Sequence, residues 1–128
     1  MNYQEVFITI GTTDFEAVVL FYREVFSVSA DVYQGGAYAQ FNLMGLKLAI
    51  FYPKESHQSQ FANSGGSGVS FCVEVENLEE TIAHLARLGY PPTSEITRAS
   101  HGLEIYAYDP AGNRLIFHQS TLNTKPFK

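Results

Sequence analysis

The chain repeats its own pattern at an offset of 63 residues. Ile8 and Ile10, then Asp14, then Phe15, Val19, Tyr22 and Val25 are matched by Phe71 and Val73, then Asn77, then Leu78, Ile82, Leu85 and Leu88. Identity between the copies is low, but the order of apolar and capping positions is kept. Such a repeat constrains the fold more than any single motif, because each copy must be one supersecondary unit.

Each copy reads β-α-β-β-β. In the first, Val6 to Ile10 alternates as a strand, and Asp14 offers its carboxylate as a helix N-cap. Phe15 to Phe26 carries apolar residues at 15, 18, 19, 22, 25 and 26, one buried face of a helix. Ser27 to Gln34 and Ala37 to Leu43 flank Gly35-Gly36, which suits a two-residue hairpin turn. Met44-Gly45 turns the chain into Leu46 to Phe51. In the second copy Val69 to Val75 alternates, and Asn77 caps a helix with Glu80 three residues on. Leu78, Ile82, Leu85 and Leu88 form its stripe, and Gly89 with Pro91-Pro92 ends it. Strands are expected at Ser94 to Arg98, Leu103 to Tyr108 and Leu115 to Gln119, with an Asp109-Pro110-Ala111-Gly112 turn before the last.

The organisation is a first module over about residues 3–53, a linker over about 54–67, a second module over about 68–120 and a tail, 121–128. The stretch from Pro53 to Gly68 is polar and glycine-rich apart from Phe61 and Ala62. No Gly-Lys-Ser/Thr follows its glycines, so it is not a phosphate loop. A net charge of -5 argues against nucleic acid or anionic membrane as partner. Cys72, the one cysteine, excludes an intrachain disulfide and a cysteine-cluster zinc site. With no secretion leader and no long apolar run, a cytoplasmic protein is expected.

Two βαβββ copies, an Asp-capped helix containing Phe21-Tyr22, a glycine-rich linker and Asp109-Pro110-Ala111-Gly112-Asn113 before the last strand form a specific combination. The chain resembles the glyoxalase, bleomycin-resistance and extradiol-dioxygenase superfamily, the vicinal oxygen chelate proteins, over residues 3–120. The resemblance implies an α+β fold in which the curled sheets of two modules form a concave cup, with helices on the outer face. It also implies a homodimer and a small molecule or metal in the cup.

Strand alternation sorts side chains between the faces of such sheets. The Gly35-Gly36 turn is expected to pair Tyr33 with Tyr38, both in the cup. The candidate ligand-binding set is Phe7, Tyr33, Tyr38, Gln40, Asn42, Lys47, Phe51, Tyr106, Tyr108, Ile116 and His118. A mostly aromatic surface with a few polar groups suits a small-molecule pocket. The same aromatics could instead fill the cup or pack across a dimer, since Phe and Tyr fit strands well.

Metal-dependent members of the superfamily carry His, Gln or Glu at four places. Those places fall here on Phe7, Ala49, Ser70 and Ile116. A serine hydroxyl is the only donor among them, so the resemblance implies the metal-free branch, with no cofactor. His57 lies in the linker, His84 off the second helix's stripe, and His101 beside Gly102 where a strand begins. His118 alone falls on the cup face by parity. With Glu104 and Glu74 it is one histidine short of a two-histidine, one-carboxylate site. His118 oriented by Glu104 is a weak candidate acid-base pair; the alternative is a rim histidine without a chemical role. Cys72 sits mid-strand with no adjacent base to make it a nucleophile.

The reading that follows is metal-independent binding of a small aromatic or planar molecule, as in bleomycin sequestration. The alternative is a lyase, isomerase or dioxygenase using an atypical metal or a metal-free His/Glu site.

Overall fold

The computed structural model describes residues 1–62 and 65–121, and it divides into two compact units on either side of the Ser64–Gly65 junction. The expected tail, apart from Thr121, and two linker residues at 63 and 64 lie outside the described residues.

The first unit runs β1 (Ile8–Gly11), α1 (Phe15–Phe26), β2 (Val32–Gln34), β3 (Tyr38–Leu43), β4 (Leu46–Phe51) and a 3-10 helix (Glu55–Gln60) inside the expected linker. Its sheet has the order β1-β4-β3-β2, with β1 parallel to β4 and the other pairs antiparallel. Helix α1 buries Phe15, Val18, Val19, Phe21 and Tyr22, and the sheet buries Ala39, Phe41, Leu48 and Ile50. Each large side chain so buried contributes roughly 1.5–3 kcal/mol.

Three expectations for this unit are corrected. Asp14 occupies the N-cap position, but its carboxylate makes no capping bond; Thr12 Oγ1 accepts from the Asp14 N–H at 2.9 Å instead. Strand β2 starts at Val32 rather than near Ser27, because Ser27 ends α1 in the left-handed conformation (φ 54°). The hairpin loop has three residues, closed by the Ala37 N–H donating to the Gln34 carbonyl at 2.9 Å, with Gly36 at φ 75°. The extra residue shifts the register by one, so Tyr33 pairs with Ala39 and Tyr38 with Gln34. Tyr33 therefore shares the helix-side face of Ala39. There its ring stacks on Phe15 at 6.4 Å and its hydroxyl donates to Glu16 Oε1 at 2.8 Å. That bond to a carboxylate pushes the Tyr33 phenol above its ordinary pKa. The Met44-Gly45 turn forms as expected, with φ of 54° and 100°.

The second unit runs β5 (Ser70–Glu74), α2 (Leu78–Arg87), β6 (Thr97–Ala99), β7 (Gly102–Tyr108) and β8 (Arg114–Ser120), in the sheet order β5-β8-β7-β6. The connectivity is that of the first unit, so the α+β class and the duplicated βαβββ order are both present. Asn77 Oδ1 accepts from the Glu80 N–H at 3.0 Å, the expected cap, and Gln119 Oε1 accepts from the Leu78 N–H at 2.6 Å. Gly89, at φ 92°, ends α2. The Asp109 carboxylate organises the last turn, accepting from Ala111 N–H at 2.8 Å and Asn113 N–H at 3.0 Å. Among the described residues no helix is long and apolar enough to cross a membrane.

Candidate functional site

In each unit the face opposite the helix is the one left for chemistry. In the first unit it carries Phe7, Thr9, Gly11, Lys47, Ala49, Phe51, Tyr38, Gln40 and Asn42, as the register of β1, β3 and β4 requires. Much of it is engaged with itself. Tyr38 donates its hydroxyl to Gln40 Oε1 at 2.8 Å. Lys47 Nζ donates to Glu5 Oε2 at 2.6 Å and lies 4.8 Å from the Phe7 ring centre. Asn42 Oδ1 accepts from the Gly45 N–H at 2.6 Å, which commits it to the turn. Phe61, from the linker, meets Phe51 edge-to-face at 5.3 Å. Both rings sit over Gly11, where an added Cβ would lie 2.8 Å from each. Nothing in the apolar pattern singled out Phe61, because one aromatic residue in a polar loop has no periodicity to place it.

In the second unit the corresponding face carries Ser70, Cys72, Glu74, Arg114, Ile116, His118, Glu104, Tyr106 and Tyr108. Parallel pairing sets Glu74 beside His118. The His118 ring is held at both nitrogens. Nδ1–H donates to Glu74 Oε1 at 2.6 Å, and Nε2 lies 2.9 Å from Nδ1 of His101. The two rings are 4.8 Å apart at 65°. Glu74 Oε2 also accepts from the Ser120 N–H at 3.1 Å, which fixes the carboxylate. The His118 side chain is 14% exposed and that of Glu74 is 48% exposed.

The expected partner of His118 is thus corrected. Glu104 lies directly across from it on β7, but the carboxylate bonded to the ring is Glu74. His101, placed by the sequence only beside Gly102 where a strand begins, supplies the other contact. It stands in the two-residue loop between β6 and β7. Its approach depends on Gly102, where a Cβ would run into the Gln119 carbonyl oxygen and lie 2.7 Å from His118 Nε2. The beside-glycine position of His101 was the one signal in the sequence.

Cys72 is exposed, but its thiol is pushed above the ordinary range by burial of its surroundings and by the Glu74 and Glu104 carboxylates. That favours the protonated, unreactive form.

The resemblance implies metal-ligand places at Phe7, Ala49, Ser70 and Ile116, and the surroundings of these four show what each offers. Phe7, Ala49 and Ile116 offer carbon only, and Ala49 is fully buried. Ser70 Oγ accepts from Arg114 Nε at 2.7 Å, and Arg114 Nη2 donates to the Ser67 carbonyl at 2.6 Å. A guanidinium at the one oxygen donor opposes a cation there. The residues do not fit the family's metal. A solvent-open hollow of about 670 Å³ runs along α2, past Asn77, Glu80, His84 and Arg87, away from the sheet face that carries His118.

Fold and residue pattern agree with direct comparison. The chain belongs to the glyoxalase/bleomycin resistance protein/dioxygenase superfamily, whose model matches residues 6–117. Among solved structures it is similar to FosX, a fosfomycin resistance protein from Listeria monocytogenes, at 17% identity and TM-score 0.73, over 95% of this chain and 97% of that one. It is also similar to a lactoylglutathione lyase from Agrobacterium tumefaciens, at 20% identity and TM-score 0.66, over 93% and 96% of the two chains. A glyoxalase-related enzyme from Fulvimarina pelagi matches at 22% identity and TM-score 0.68, over 92% of this chain and 89% of that one. At these identities the likeness is one of fold.

Proposed function

We propose that this chain binds a small planar or aromatic molecule without a metal, in the sequestering manner of bleomycin resistance proteins. The observation that carries this reading is the donor set: Phe7, Ala49 and Ile116 have no ligand atom, and Ser70 is already bonded to Arg114. Exposed aromatic side chains supply the binding surface. Tyr106 is 42% and Tyr108 45% exposed. Metal analysis of protein purified without chelator tests the reading, together with thermal denaturation in the presence of aromatic compounds. Metal far below one ion per chain and a raised Tm are expected. One metal per chain, lost on replacement of His118 or Glu104, overturns it.

A second reading, a metal-free acid-base enzyme, is favoured by the bonded chain of Glu74, His118 and His101. Either protein would work as a homodimer in this proposal. Sedimentation of a single 14.3 kDa species at micromolar concentration would refute that part.

A further inference from the structure

We infer that Glu74, His118 and His101 form a directional proton relay whose outer nitrogen, Nε2 of His101, accepts the proton of a neutral planar hydroxyl acid of the phenol class. The inference rests on the reading that a planar ligand lies on the open face of the second unit.

Direction follows from the chemistry of the contacts. A carboxylate only accepts, so the hydrogen of neutral His118 sits on Nδ1, toward Glu74 at 2.6 Å. The lone pair of His118 is then on Nε2, and the group 2.9 Å away is Nδ1 of His101. That contact is a hydrogen bond only if His101 carries its hydrogen on Nδ1. The free lone pair of the chain is thereby placed on Nε2 of His101, an exposed residue. When a hydroxyl acid meets it, the O–H bond breaks and the proton goes to His101 Nε2. The Nδ1 proton of His101 moves to His118 Nε2. The positive charge comes to rest on His118 against Glu74, and the ligand is left as its phenolate.

The class of ligand follows from what else faces these rings. Strand β5 contributes Cys72 and Glu74, β7 contributes Glu104, Tyr106 and Tyr108, and β8 contributes Arg114. Two carboxylates stabilise a cationic histidine pair and repel a ligand that arrives as an anion. The one guanidinium is held by Ser70 and the Ser67 carbonyl. A carboxylate or phosphate ligand therefore gains little here, while a neutral acid that ionises after arrival does. Tyr106 and Ile116 are paired two residues along from Glu104 and His118 on the same face, about 7 Å away. They offer a flat surface for a ring beside its hydroxyl.

The test uses 4-nitrophenol, which absorbs visible light as the phenolate, and 4-nitroanisole, which has no proton to give. At about pH 6, wild-type protein should bind both and show the phenolate band with nitrophenol. His101→Gln and Glu74→Gln should lose the band and bind nitrophenol about tenfold more weakly, with nitroanisole binding within about twofold of wild type. A phenolate band that survives in both variants overturns the relay and leaves the ligand reading standing. Absence of binding by both compounds to wild-type protein overturns the ligand reading and the phenol assignment with it. Imidazole NMR judges the relay without any ligand. The neutral rings of His118 and His101 should each carry their hydrogen on Nδ1, and a hydrogen on Nε2 of either ring overturns the relay.

Discussion

The two units place different chemistry at the same topological point. The offset of 63 aligns Gly11 with Glu74, and the parallel register pairs Gly11 with Phe51 and Glu74 with His118. In the first unit that pair is covered by Phe61; in the second it is extended by His101. One duplicated position has become an aromatic plug and the other a chain of titratable groups. The scaffold fixes where the end of the first and last strands lies, and the side chains there decide whether the face closes over itself or remains chemically available.

Two glycines separate these designs most sharply. Gly102→Ala meets a backbone carbonyl, which cannot move aside, as well as His118 Nε2. It should cost about 3 kcal/mol by urea denaturation and break the histidine pair. Gly11→Ala also crowds its neighbours, but these are the rings of Phe51 and Phe61, which can shift. Its cost should be nearer about 1 kcal/mol. Equal costs for the two would mean that the plug is as rigid as the sheet backbone, and the contrast between the units would fail.

The turns before the last strands differ in the same sense. Asp109 is 4% exposed and collects the Ala111 and Asn113 N–H groups as well as Asn113 Nδ2 at 2.9 Å. Its counterpart in the first unit, Asn42, is exposed and accepts one bond from Gly45. Asp109→Ala should therefore destabilise by about 2–3 kcal/mol and Asn42→Ala by about 0.5–1 kcal/mol. Urea midpoints of the two variants decide it. A larger loss at Asn42 would show that the second unit does not depend on its carboxylate-tied turn.

The repeat, the order of elements along the chain and both helices could be read from the sequence because apolar periodicity records burial directly. Phe15 to Phe26 was legible to the residue. Tyr33 was not, because a third loop residue, Ala37, changes the register without altering the composition of the turn. His118 was found on its face by parity, yet its partner was misassigned to Glu104. Parity reports which face a residue occupies; it does not report which of two carboxylates on that face reaches the ring. Glu74 becomes the obvious partner only once β5 is known to run parallel beside β8, and His101 only once the absent Cβ of Gly102 is seen in place.

The smallest expected effect concerns Cys72, which occupies the place of Thr9 in the first unit. Its thiol is raised first by burial of its surroundings, then by Glu74 and Glu104. The folded chain holds that proton more tightly than the unfolded one. Any stability this gives is fully present below the unfolded thiol's pKa and is lost as pH rises through the folded one. Alkylation by iodoacetamide should accordingly reach half its maximal rate at a higher pH than for an unhindered thiol. Glu104→Gln removes one of the two charges without touching the His118–Glu74 bond. It should speed alkylation at about pH 8 roughly twofold. Glu74→Gln should do at least as much, since that carboxylate is the larger of the two influences. An alkylation midpoint unmoved by either change would mean that burial alone raises the thiol. The acidic character assigned to the second unit's open face would then have no measurable consequence at its centre.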